Sequence, residues 1–166
     1  MKIGLGSDHF GFELKELVKQ YLVDMGHQVV DYGCHSCDAV DYPDVAFKVA
    51  KDIQEEKLPR GILICGTGIG VAIAAGKVPG IRAALCHDTY SAERARKSNN
   101  AQVLTMGAKV IGPETAKKVV EAWIHSEFEG GNSGRKIQKI MDQEADFLNS
   151  FANKKEVESL DSGSCS

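Results

Sequence analysis

The stretch Gly61-Ile62-Leu63-Ile64-Cys65-Gly66-Thr67-Gly68-Ile69-Gly70-Val71-Ala72-Ile73-Ala74-Ala75-Gly76-Lys77-Val78 decides the fold. Its first five residues run on without polar alternation, which is how a strand buried on both faces reads. Glycines at 66, 68 and 70 then break the extended run and permit a tight turn. From Ile69 to Val78 the small and apolar residues suit a helix. Strand, glycine turn and helix in direct succession are the repeating unit of an α/β protein.

Working outward, four more short apolar runs at 2–7, 28–32, 82–86 and 102–106 read as strands. Helical patterns separate them at 11–25, 45–56, 69–78, 91–97 and 115–126. In the first helix Phe12, Leu14, Leu17, Val18, Tyr21 and Leu22 form one apolar stripe. Gly26 supplies its stop, and Pro113 precedes the last of the five helices. Strands joined by crossover helices predict a five-stranded parallel sheet covered on both faces. The common order 2-1-3-4-5 puts the ligand crevice between strands one and three. A further helix is predicted from 135 to about 152, docked on its own domain or on a neighbouring subunit. The expectation is therefore one domain over 1–153, with a polar, disordered tail at 154–166.

Composition bounds the function. The chain has 166 residues, 43% hydrophobic and 26% charged, with a formal net charge of -3. No basic excess marks a nucleic-acid binder, and no apolar run reaches the ~18 residues of a membrane span. The start Met1-Lys2-Ile3 enters a strand at once, so no signal peptide is expected. Five cysteines at irregular spacing argue for a reducing, cytoplasmic setting rather than a disulfide framework.

The strand ends carry the chemistry. Backbone N–H groups of Gly66-Thr67-Gly68-Ile69-Gly70 can converge on an anion, either a phosphate or an oxyanion formed during reaction. Cys65 ends the third strand and leads into a helix, a position that favours thiolate. The bland reading is a small core residue; its place ahead of the anion turn favours function. Asp8-His9 ends the first strand, across the same crevice. Asp8 suits helix capping or proton transfer, and His9 proton transfer or phosphate contact. Tyr42 can roof the crevice, with Pro43 and Asp44 starting a helix.

Other patterns fail. No GxxxxGK[ST] loop is present, and Gly4-Leu5-Gly6 does not continue as GxGxxG. A cysteine-phosphatase loop would need arginine where Val71 stands. Cys34-His35-Ser36-Cys37 has no second CxxC to complete a zinc site.

Together Gly6-Ser7-Asp8-His9, Asp41-Tyr42-Pro43, Ile64 to Gly70, Ala74 to Ala83 and Glu129-Gly130-Gly131 resemble the ribose-5-phosphate isomerase B family. That family includes isomerases of galactose 6-phosphate and allose 6-phosphate. The resemblance implies a three-layer Rossmann-like α/β fold with no metal and no organic cofactor. It implies a homodimer or tetramer with active sites shared between subunits, and a sugar phosphate as substrate. The implied reaction is aldose–ketose isomerisation through an enediolate, here of ribose 5-phosphate and ribulose 5-phosphate. Cys65 would move the carbon-bound proton, and Gly66, Gly68, Ile69 and Gly70 would hold the enediolate. Thr67 and Asp8 would handle hydroxyl protons, and His9 would open the ring or meet phosphate. Tyr42, Ser98 and Asn99 would line the substrate site; Lys109, Asn132, Arg135 and Lys136 would join His9 around the phosphate.

Two departures stand out. Ser98 occupies the place of a histidine that usually opens the sugar ring. Lys109, Asn132 and Lys136 stand where the family has arginines, with Arg135 beside the last. Lysine keeps charge but loses the bidentate fork. The alternatives are an isomerase of a hexose 6-phosphate, a non-catalytic sugar-phosphate sensor, and a flavodoxin-like carrier of a flavin.

Overall fold

A computed structural model describes the backbone of residues 1–161 and the side chains of residues 1–153. The elements in chain order are β1 (Lys2–Ser7), α1 (Phe12–Asp24), β2 (Gln28–Asp31), α2 (Tyr42–Gln54), β3 (Arg60–Cys65) and α3 (Ile69–Ala75). They continue with β4 (Ala83–Leu85), α4 (Thr89–Lys97), β5 (Val103–Gly107), α5 (Pro113–Ile124) and α6 (Gly131–Asp161). All strand pairs are parallel. The α/β class and its parallel five-stranded sheet are as expected.

The strand order differs: it is β2-β1-β3-β5-β4, not 2-1-3-4-5. Burial explains the exchange. Every residue of β5 is buried, whereas the three residues of β4 are half-buried or exposed. A strand apolar on both sides belongs in the sheet interior, and the short, wetter one serves as the edge. The chain therefore steps past one position to lay down β4 and returns for β5. Right-handed crossovers then send α4 to the face opposite α3. Accordingly, α4 packs on α5 and α5 on α1, while α2 packs on α3.

Two cores result, one per face. Leu14, Val18 and Leu22 of α1, Ala92 and Ala95 of α4 and Trp123 of α5 cover Ile62 and Ile64. Val45, Val49 and Ile53 of α2 with Val71 and Ala75 of α3 cover Leu63 and Cys65. The period-two alternation of β3 thus hands Cys65 to the α2/α3 side. Because α1 and α5 lie on one face and α3 on the other, β3 is flanked by a reversal on each side, toward β1 and toward β5.

One charge cluster ties α1 to β2. Lys15, fully buried, donates to both oxygens of Asp31 at 3.0 and 2.9 Å, and Lys19 donates to the same carboxylate at 2.7 Å. Burial alone would raise the Asp31 pKa, but these bonds and the Gly33 N–H overcome it and hold it at about 2. A carboxylate whose pKa is depressed by folding stabilises fully above its unfolded value of 3.8, and that contribution is lost as pH falls toward 2. The shift corresponds to about 2 kcal/mol. Urea melts of wild type and Asp31→Asn between pH 6 and pH 2 check this: the difference in stability between them should shrink by about that amount on acidification. A constant difference would remove the linkage.

By its contacts the chain divides into two compact units, at Glu129 and Gly130. The first holds the sheet and α1 to α5. The second is α6, a single 31-residue helix whose Ile140, Phe147, Leu148 and Phe151 are exposed. The expected final helix is thus present and begins earlier, at Gly131. Of the tail expected to be disordered, the backbone as far as Asp161 is helical, the side chains of 154–161 lie outside the description, and residues 162–166 are outside the described residues altogether.

Candidate active site

The carboxyl edge of the sheet gathers most of the expected residues. Cys65 is 5% exposed and closes β3. Its Sγ accepts the Gly68 N–H at 3.1 Å, and Thr67 Oγ1 accepts the Ile69 N–H at 3.3 Å. Two N–H groups of the glycine turn therefore point at its own side chains. The sulfur thus has one backbone donor facing it at a buried strand end. The turn is compact because Gly68 takes a left-handed conformation, φ 78°, as the N-cap of α3. Thr105 Oγ1 donates to the Gly68 carbonyl at 2.9 Å and pins it to β5.

Across β1, Asp8 is 5% exposed, and its N–H donates to the Ile64 carbonyl at 3.2 Å, one residue before Cys65. Its Oδ1 accepts the Gly11 N–H at 3.0 Å. The capping expectation changes accordingly: Gly11 is the N-cap of α1, and Asp8 closes the turn ahead of it. His9 Nδ1 accepts the Val40 N–H at 3.4 Å, so the segment after β2 comes across to the end of β1. Tyr42 is the first residue of α2, not part of the loop before it, and its ring lies against Gly70. A Cβ added to Gly70 would sit 2.6 Å from Tyr42 Cζ.

The β5 side completes this edge. Ala108 N–H donates to the Cys65 carbonyl at 2.8 Å and Lys109 N–H to the Gly66 carbonyl at 3.0 Å. Lys109 Nζ stands 3.5 Å from the centroid of the Phe10 ring, which in turn lies 4.1 Å from the His9 ring. Two residues were missed by sequence reasoning, Phe10 and His87. His87 follows β4, and its Nε2 accepts the Gly107 N–H at 2.9 Å. The same attention to strand ends that selects Asp8 and Cys65 selects His87, had it been applied to the fourth strand.

Ser98 and Asn99 are elsewhere. They end α4, which runs antiparallel to the strands, and Arg82 just before β4 donates to the carbonyls of Asn99 and Asn100. They sit at the amino edge of the sheet, roughly 13 Å of strand from Cys65. The Asn99 side chain donates to the Arg94 carbonyl at 3.1 Å, which is the capping role. Asn132, Arg135 and Lys136 lie exposed in the first two turns of α6, in the second unit. Among the described residues no cluster of three or more His, Cys, Asp or Glu is placed to hold a metal, and no helix is long and apolar enough to cross a membrane.

Residues 3–140 match the Ribose/Galactose Isomerase family model. A D-erythrulose-4-phosphate isomerase of Pectobacterium atrosepticum is 53% identical over 141 residues, 84% of this chain and 93% of that protein. A ribose-5-P isomerase B of Listeria innocua is 50% identical over 137 residues, 82% and 93% of the two chains. The solved ribose-5-phosphate isomerase B of Clostridium thermocellum superposes with a TM-score of 0.87 at 44% identity, covering 89% of this chain and 99% of that one. A cysteine at the head of a glycine turn, an aspartate beside it and near-complete coverage by such relatives lead to one conclusion: this chain belongs to the ribose/galactose isomerase family and is a sugar-phosphate isomerase.

Proposed function

We propose that the protein interconverts ribose 5-phosphate and ribulose 5-phosphate, with Cys65 as the general base. The observation that carries the reading is the Cys65 Sγ held by the Gly68 N–H at 3.1 Å, beside buried Asp8. A C–H next to a carbonyl is a weak acid, so the reaction needs both a base and a place for the oxyanion. Cys65 thiolate takes the proton from C2 and returns it to C1, while Asp8 and Thr67 carry a hydroxyl proton from O2 to O1. The step is redox-neutral. As the proton reaches sulfur, negative charge moves from Sγ to the enediolate. The Gly68 N–H is then freed to follow it, joined by other N–H groups between Gly66 and Gly70. His9 and Lys109 supply contacts for phosphate.

Ser98 and Asn99 lie at the far edge from their own Cys65, so their substrate role requires a second copy. We read the functional unit as a homodimer or tetramer in which these residues, with Asn132, Arg135 and Lys136, serve a neighbour's crevice. The exposed apolar residues of α6 suit such an assembly, and its setting is the cytoplasm.

A second reading has its own support. The Pectobacterium relative is named for D-erythrulose 4-phosphate. A four-carbon sugar with phosphate on its terminal oxygen has no free hydroxyl with which to close a furanose ring. Such a substrate needs no ring-opening histidine, and Ser98 suffices. Comparing kcat/KM for ribose 5-phosphate, D-erythrulose 4-phosphate and galactose 6-phosphate, in wild type and Ser98→His, separates these readings. For ribose 5-phosphate as substrate, Ser98→His should raise kcat/KM about 10²-fold, the lower end of the ~10²–10⁴ range of a positioned acid–base group. Turnover of the four-carbon sugar alone would establish the second reading. Saturable binding with no turnover of any of the three would leave a sensor.

A further inference from the structure

We infer that Phe10 is a positioning residue for the phosphate grip: its ring holds the Lys109 ammonium at the mouth of the crevice beside Cys65. The inference rests on the reading of Lys109 as a phosphate contact. Phe10 lies in the turn between β1 and α1 and is 51% exposed. Its neighbours account for that position. The Lys109 Nζ is 3.5 Å from its centroid on one side, and the His9 ring is 4.1 Å away at an interplanar angle of 42°. Phe10 and Lys109 meet over the residue after the base. A Cβ placed on Gly66 would lie 3.7 Å from Lys109 Cδ and 3.8 Å from the Phe10 ring.

A free lysine samples many rotamers, and ordering it on ligand binding weakens affinity. The ring face offers a negative quadrupole that favours one placement before phosphate arrives. The Lys109 backbone is already fixed, since its N–H donates to the Gly66 carbonyl at 3.0 Å. Only the four-carbon stem remains to be ordered, and Phe10 is the group that orders it. Lysine keeps three rotatable donors, so the ammonium can face the ring and still offer N–H groups to an anion.

Phe10 touches His9 as well, and the test separates the two routes. KM, kcat and the inhibition constant of inorganic phosphate are measured for wild type, Phe10→Leu, Phe10→Tyr, Lys109→Met and the Phe10→Leu/Lys109→Met double variant. Phe10→Leu should raise KM and the phosphate inhibition constant together by about three- to fivefold. Phe10→Tyr, which keeps the ring face, should restore both. The double variant should be no worse than Lys109→Met alone. A fall in kcat with phosphate inhibition unchanged would separate Phe10 from the phosphate grip and overturn the inference. So would a Phe10→Leu effect that persists in full when Lys109 is already absent. If Lys109→Met itself leaves KM and phosphate inhibition unmoved, the phosphate role of Lys109 fails and takes the inference with it. Phe10 is half-exposed, so its substitution leaves the core intact; thermal melts of each variant verify this.

Discussion

Cys65→Ser should lower kcat by about 10³-fold while leaving the protein folded. The estimate follows from what a positioned base contributes, ~10²–10⁴-fold, and from the poor acidity of a serine hydroxyl. The side chain is buried in the α2/α3 core, and oxygen is smaller than sulfur, so packing changes little. The Gly68 N–H keeps an acceptor in the variant. Two measurements check the result. One is the isomerisation rate on the preferred sugar phosphate; the other is exchange of the C2 proton of that substrate with D2O. Both should fall together, because the same group removes and returns the proton. Retention of more than about a tenth of the rate, well above what loss of such a base allows, would mean that another group abstracts the proton. Loss of turnover with exchange intact would instead place Cys65 after the first step.

Gly68→Ala should be the next most damaging change, and for a different reason. Gly68 has φ 78°, where a Cβ costs roughly 1–2 kcal/mol. The added Cβ would also lie 2.5 Å from Leu85 Cδ1, 2.7 Å from Met106 C and 3.0 Å from Met106 O. Leu85 can move, but the Met106 backbone is inside the sheet and cannot. The turn must therefore shift, taking with it the N–H that faces Cys65 Sγ. Loss of one oriented donor at such a site costs ~10²–10³ in kcat, and the strain adds a drop in Tm. Gly66→Ala provides the contrast. Its Cβ meets only Lys109 and Phe10 side chains at 3.7 Å or more, so Tm should hold close to wild type. Equal destabilisation of the two variants in thermal melts would show that the turn, rather than the Met106 contact, sets the requirement for glycine.

The sequence alone was sufficient for the class of fold, because a strand covered on both faces has a local signature. Residues 61–65 are apolar without a break, and no solvent-facing strand reads that way. It was sufficient to put Cys65 and Asp8 at the same edge of the sheet too, since a parallel sheet brings all strand ends to one edge whatever the order of its strands. Three matters were decided by tertiary structure. The places of β4 and β5 depend on which strand is the better buried, a comparison between distant segments that neither run encodes by itself. Ser98 and Asn99 were grouped with the crevice by resemblance, yet α4 runs back along the sheet and leaves them at its other edge. Gly66, Gly68 and Gly70 are alike as letters. Only the surroundings distinguish them: open side chains beside the first, the Met106 backbone against the second and the Tyr42 ring against the third. Local pattern reports what a residue can do, and packing reports what its neighbours allow.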